Sequence, residues 1–208
     1  MGVYTEGMIN ACRILAPLAL VLLTPPVMAA EKLSLPEISS YINSLKIVQA
    51  DFTQINTDGT ISTGKIFIRR PGRARFEYNP PSKALVIAGG QQLAIFDEKS
   101  NTGPTQYPLN RTPLNLILAR KVDLTQAEMV IGHTFDNTAT TVVAQDPEHP
   151  EYGTIALTFT DSPVELRQWV ITDDVGDQTT VILGPLEAVS SLSAGLFNIT
   201  REAELRQR

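Results

Sequence analysis

From residue 53 onward this chain repeats one kind of segment. Short runs rich in β-branched and aromatic residues are broken, roughly every ten residues, by Asp, Gly or Pro. The runs read "GKIFI", "RARFEY", "KALVIAGG", "QQLAIFDE", "TATTVVAQ", "GTIALTFTD", "ELRQWVITDD" and "DQTTVILG". Connections this short can only join antiparallel neighbours, because a parallel pair needs a long crossover. The rhythm therefore predicts an antiparallel meander. Asp58-Gly59 and Gly89-Gly90 supply hairpin turns.

Two segments follow a different period. Residues 34–45, "SLPEISSYINSL", place Ile38, Tyr41, Ile42 and Leu45 on one helical stripe. Ser34 and Glu37 have capping-box spacing, and Pro36 is tolerated in a first turn. Residues 111–121, "RTPLNLILARK", predict a short apolar helix inserted into the sheet protein. Thr112 would be its N-cap, Pro113 its first residue, and Leu114, Ile117 and Leu118 its stripe, widened by Leu116. "VDLTQAEMVI" fits either a short helix or a strand, and the last residues, "REAELRQR", predict a frayed polar tail.

The front of the chain stands apart. Arg13 precedes the apolar run "ILAPLALVLL" and then "TPPVMAAEK", the pattern of a cleaved secretory signal peptide. Cleavage after Ala29 or Ala30 makes residues 1–30 a signal and 31–208 a single domain, large enough to bury its own core. The only cysteine, Cys12, lies ahead of the apolar run, so the mature domain has neither a disulfide nor a thiolate metal site. Removing residues 1–30 takes away Glu6 and Arg13 and leaves the net charge at −5. That balance argues against nucleic acid, whose binding rests on a basic face. A bacterial periplasmic location suits an exported chain that folds without disulfides.

Signatures of catalysis are missing from the sequence. His133 and His149 have no metal-ligand spacing, and there is no G-x-S-x-G elbow or phosphate-binding loop. "QDPEHPEYG", the acidic stretch Asp173, Asp174 and Asp177 around Gly176, and "DEKSN" all read as surface turns. No cofactor or metal is expected, and an enzyme acting on lipids or cell-wall material is the weakest reading.

"GKIFIRRPGRARFEYNPP", residues 64–81, raises a question of its own. Ile66, Ile68 and Arg70 share one face of a strand, so an arginine ends an apolar row beside a Pro-Gly corner. With "LVIAGGQQLAIFD" following, this stretch resembles the periplasmic lipoprotein carrier family LolA. The resemblance is an ordered set running from about residue 34 to about residue 200: "ADFTQ" at 50–54, Gly64, Arg70-Pro71, Phe76, Pro81, Gly90 and Thr112-Pro113-Leu114. It implies an incomplete, strongly curved antiparallel β-barrel closed by a helical lid. It also implies an apolar hollow beneath residues 112–119 that shelters the acyl chains of a lipoprotein.

Residue roles follow from the same resemblance. Arg70 matches a family arginine at the cavity rim that hydrogen-bonds toward the lid. The candidates for the acyl-chain cavity are Phe52, Phe76, Tyr78, Leu93, Ile95, Leu114, Ile117, Leu118 and Trp169. Arg69, Arg73 and Arg75 are expected as solvent contacts or as a docking patch for an acidic partner. The implied partners are acylated lipoproteins as cargo, an inner-membrane ABC transporter as donor and an outer-membrane receptor lipoprotein as acceptor, with the carrier itself monomeric. A lipid- or lipoprotein-sensing regulatory domain of the same fold is the alternative.

Overall fold

The computed structural model describes residues 1–2, 30–97 and 103–207. The expected signal peptide, apart from its ends, and most of the "DEKSN" turn lie outside the described residues.

Helix α1 (Leu35–Ser44) starts as its sequence predicts. The Ser34 hydroxyl accepts the Glu37 N–H, and the Glu37 carboxylate accepts the Ser34 N–H at 2.8 Å. These bonds satisfy donors that a helix start otherwise leaves orphaned. Ile38 and Ile42 are buried, and Tyr41 packs edge-on to Phe159 at 5.9 Å. Residues 31–33, just upstream, are fastened to the sheet. Glu31 N–H donates to the Asp161 carboxylate at 2.9 Å and Leu33 N–H to the Thr140 hydroxyl at 2.9 Å.

Strands β1 (Ile47–Ile55), β2 (Ile61–Arg69), β3 (Ala74–Tyr78), β4 (Leu85–Gly89), β5 (Gln92–Phe96) and β6 (Thr105–Pro108) form a first meander. Strands β7 (Val130–Phe135), β8 (Thr140–Gln145), β9 (Thr154–Asp161), β10 (Val164–Thr172) and β11 (Gln178–Leu183) form a second. β11 returns to pair with β1, and the short β12 (Glu187–Ala188) pairs with β1 beyond it. The sheet order is β6-β5-β4-β3-β2-β1-β11-β10-β9-β8-β7, all pairs antiparallel. β6 and β7 are its two open edges, and residues 109–129 span from one edge to the other.

Curvature follows from a distance. β3 and β10 lie four strand spacings apart, so in a flat sheet they would be separated by roughly 19 Å at about 4.8 Å per strand. Yet the rings of Phe76 and Trp169 stand 6.3 Å apart, edge to face. The sheet is rolled, and its inner face meets α1 and the 109–129 segment in one continuous core.

The inserted helix is shorter than its sequence predicts. A 3₁₀ turn (Leu109–Arg111) is followed by α2 (Asn115–Leu118), a single turn. Thr112 does not cap it. A residue before proline is pushed out of the helical region. Thr112 is accordingly extended, and its hydroxyl donates back to the Leu109 carbonyl at 2.8 Å. Residues 122–129 form turns, and a strand begins at Val130. Four-residue β6 carries no sequence signal, because all four of its residues are exposed.

The C-terminal segment is helix α3 (Ile199–Arg206) rather than a frayed tail. Asn198 caps it by accepting the Arg201 N–H at 2.9 Å. Ile199 and Ala203, one turn apart, cover a second small core on the outer sheet face: Leu85, Ile87, Ala94 and Phe96. Gly89 makes this approach possible, since a Cβ there would lie 2.1 Å from the Phe197 carbonyl oxygen.

Candidate functional site

Aromatic residues from three strands line the roll. Phe52 meets Phe76 at 5.7 Å and Tyr78 at 5.2 Å, and Phe76 meets Trp169, all edge to face. Such geometry brings a positive ring edge to a negative ring face. Gly64, paired with Phe52 across β1 and β2, leaves room for the Phe52 ring. A Cβ there would sit 2.8 Å from that ring and 2.1 Å from the Glu77 carbonyl oxygen. The Tyr78 hydroxyl donates to the Gln54 side-chain oxygen at 2.7 Å, and burial pushes its pKa up to about 12.

Leu114, Ile117 and Leu118 enter the same core from the 109–129 segment, together with Leu109, Val122 and Leu124. Leu93 packs against it half-buried. Ile95 departs from expectation: it is 37% exposed. It shares the Leu93 face but pairs with Thr105, the first residue of edge strand β6, where no further neighbour covers it. Of the nine cavity candidates, eight therefore meet in one apolar interior and Ile95 lies outside it. A second expectation changes too. The interior beneath α2 does not stand open as a hollow. Ile38 and Ile42 of α1 and Ile117 and Leu118 of α2 fill it, each at most 5% exposed.

What holds this plug in place is polar. Arg70 follows the last residue of β2, and its guanidinium donates to the Ile42 carbonyl of α1. It donates also to the Asn43 side-chain oxygen at 3.2 Å and to the Ala119 carbonyl, just past α2, at 2.6 Å. The Gly72 N–H donates to the Leu118 carbonyl at 2.8 Å. The corner thus satisfies carbonyls that end two different helices. Asn43 adds a two-way pairing with Val122, donating to its carbonyl at 2.7 Å and accepting its N–H at 2.9 Å. The Ser39 hydroxyl accepts the Leu124 N–H at 3.0 Å. Every acceptor around Arg70 is neutral. Partial burial lowers its pKa from the ordinary guanidinium value, and its Nε is buried without a hydrogen-bond partner.

The other arginines of the stretch divide. Arg75, expected at the surface, is buried: it pairs with Glu77 at 2.6 Å and Glu202 at 3.1 Å and donates to the Leu196 carbonyl. Arg69 donates to the Leu192 carbonyl at 2.9 Å. Both fasten the C-terminal segment, whose arrival at β2 and β3 no local pattern announces. Arg73 is exposed.

Outside the plug, the stretch from Asn115 to Met129 and the turn at 146–148 border a cleft of about 230 Å³. His133 bonds the Leu33 carbonyl through Nε2 at 2.8 Å. His149 stacks on Tyr152 in an exposed turn. Asp173 accepts the N–H groups of Val175 and Asp177 within its own turn. Among the described residues no group of His, Cys, Asp and Glu could hold a metal ion, and no helix is long and apolar enough to cross a membrane.

The sequence matches the family described as "Outer membrane lipoprotein carrier protein LolA" over residues 43–200. An outer-membrane lipoprotein carrier protein of Coxiella burnetii is 26% identical over 181 residues, covering 82% of this chain and 84% of its own. One from Alkalilimnicola ehrlichii is 26% identical over 196 residues, covering 90% of this chain and 89% of its own. A solved LolA superfamily protein from Nitrosomonas europaea aligns with a TM-score of 0.42 at 9% identity, over 80% of this chain and 98% of its own.

Proposed function

The chain belongs to the LolA family of outer membrane lipoprotein carrier proteins, and from that premise we propose that it carries lipoproteins through the periplasm by housing their acyl chains inside the rolled sheet. The family match over most of the chain carries this reading. The apolar interior under a polar-fastened plug supports it. Hydrocarbon exposed to water costs about 0.8 kcal/mol per CH2, so a chain of roughly fifteen carbons costs on the order of 10 kcal/mol. A lipoprotein bearing such chains cannot cross water unaided.

In this reading acyl chains displace Ile117 and Leu118, and with them part of α1, from the interior. Apolar groups replace apolar groups, so the exchange is close to balanced and the cargo remains easy to hand on. The cleft beside residues 115–129 gives the displaced segment somewhere to go. Arg70 is the latch: its bonds to α1 and α2 form only when the plug is home, so they favour the empty state and drive release. Phe52, Phe76, Tyr78, Leu93 and Trp169 form the wall the chains meet. The donor is an inner-membrane ABC transporter and the acceptor an outer-membrane receptor lipoprotein. No step makes or breaks a covalent bond.

Incubating the purified mature protein with spheroplasts tests the proposal. Lipoproteins are expected in the supernatant bound to the carrier, with their acyl chains identified by mass spectrometry. A supernatant containing none would overturn it.

A further inference from the structure

Three exposed cations surround the Arg70 latch. The Lys46 carbonyl accepts the Arg70 backbone N–H at 2.9 Å. Arg73 follows Gly72, whose N–H is bonded to Leu118, and Arg120 follows Ala119, whose carbonyl Arg70 holds. These backbone bonds put Lys46, Arg73 and Arg120 around one corner although they are far apart in sequence. Among the described residues none of the three side chains has an ion-pair or hydrogen-bond partner. Lys121, next along, feels Asp123, whose pKa is lowered mainly by Thr125 and to a lesser degree by that lysine. In a chain of net charge −5 this is a local reversal of sign.

The second observation is the Arg70 Nε, a buried donor with no acceptor. A guanidinium binds a carboxylate best through two parallel N–H groups, and charge-assisted bonds are about twice as strong as bonds to neutral acceptors. Arg70 now holds only neutral oxygens. A carboxylate that reaches the guanidinium as the plug loosens would satisfy Nε and compete with Ile42, Asn43 and Ala119 for the rest of the fork.

We infer that the corner formed by Lys46, Arg70, Arg73 and Arg120 is a docking surface for a protein partner that presents acidic side chains, and that docking there loosens the plug. The inference rests on the carrier reading and adds the sign and place of the contact. A compact partner is favoured over an anionic bilayer. At physiological ionic strength screening acts over about 8 Å, so a partner of patch size feels these cations alone. A flat anionic membrane would also have to approach the rest of a chain whose net charge is −5.

The test compares wild type with the double variants Arg73→Glu/Arg120→Glu and Arg73→Gln/Arg120→Gln, all exposed changes that leave the core intact, in lipoprotein release from spheroplasts. Sucrose is held constant while ionic strength rises from about 0.01 M to about 0.1 M, which shortens the screening length from about 30 Å to about 10 Å. The wild-type initial rate is expected to fall with salt. The glutamate variant should be about tenfold slower at low salt and nearly flat with salt, with the glutamine variant between them. Wild-type rates in both variants would overturn the inference while leaving the carrier reading in place, whereas no release by wild type would sink the carrier reading itself. Co-sedimentation with phosphatidylcholine vesicles, with and without phosphatidylglycerol, is the second arm. Binding to the anionic vesicles that the variants lose would reassign the corner to a membrane and overturn the protein partner.

Discussion

Arg70 and Arg75 stand on the same strand–corner–strand, yet they do opposite work. Arg75 is buried between two carboxylates and a carbonyl and ties α3 to the outer face of the sheet. Arg70 is half-buried, meets only neutral oxygens and leaves one donor unused. A buried charge with charged partners is a fastening, because removing either side strands the other. A charge held by carbonyls at the rim can change partners, since those carbonyls can turn to water or to the next backbone. The comparison teaches where the molecule is built to open: at the interior covered by α1 and α2, and not at the outer patch covered by α3.

The largest expected effect breaks the fastening. Arg75→Leu takes the buried partner from Glu202 and leaves it only Arg206, at 3.2 Å, and should lower unfolding stability by about 2 kcal/mol, read from urea denaturation. Arg70→Leu should cost about 1 kcal/mol in the same experiment. Equal losses from both would erase the distinction between fastening and latch.

Function should order them the other way. Arg70→Leu should take up lipoprotein like wild type but pass it to outer membranes about fivefold more slowly, matching the loss of about 1 kcal/mol from the closed state. Unchanged transfer kinetics would remove Arg70 from the mechanism. Arg75→Leu, below its unfolding midpoint, should transfer normally.

Asn43→Ala sharpens the latch further. It removes the two-way pairing with Val122 and one Arg70 contact and should cost about 1 kcal/mol. Faster amide hydrogen exchange is expected at Val122 and Leu124, with exchange in α3 unchanged.

The smallest effect is a pH dependence at the start of α1. Bonds from Ser34 hold the Glu37 pKa below its usual 4.5. A lowered folded-state pKa stabilises above the unfolded value, and that contribution is lost as pH falls through the folded one. Amide exchange in the first turn of α1 should therefore rise on acidification below 4.5 in wild type, more than in Glu37→Gln. Equal profiles would show that ionisation of Glu37 does not help hold the first turn of α1.

Much of this architecture was legible in the residues. Period-two alternation and turn chemistry gave the meander, and Ser34 with Glu37 gave the start of α1, because those signals are local. The rest depends on distant chain. Arg75 looked like a surface residue because its partner Glu202 lies 127 positions away. α3 looked frayed because only Ile199 and Ala203 are apolar where it touches the sheet. α2 looks longer in the sequence because "PLNLILA" is apolar apart from Asn115, but Thr112 before Pro113 and the bonds of Gly72 and Arg70 at the other end limit it to one turn. The filled interior was equally out of reach, since lining a hollow and filling it call for the same side chains.

The central claim is that acyl chains occupy the place now held by the plug. Benzoylphenylalanine placed at Phe76, inside the roll, or at Ile182, 41% exposed on the outer face, can report this by photo-crosslinking during lipoprotein release from spheroplasts. The account predicts crosslinks to lipoprotein acyl chains from position 76 and none from position 182. Lipoprotein released but crosslinked only from position 182 would place the cargo on the outside and contradict it.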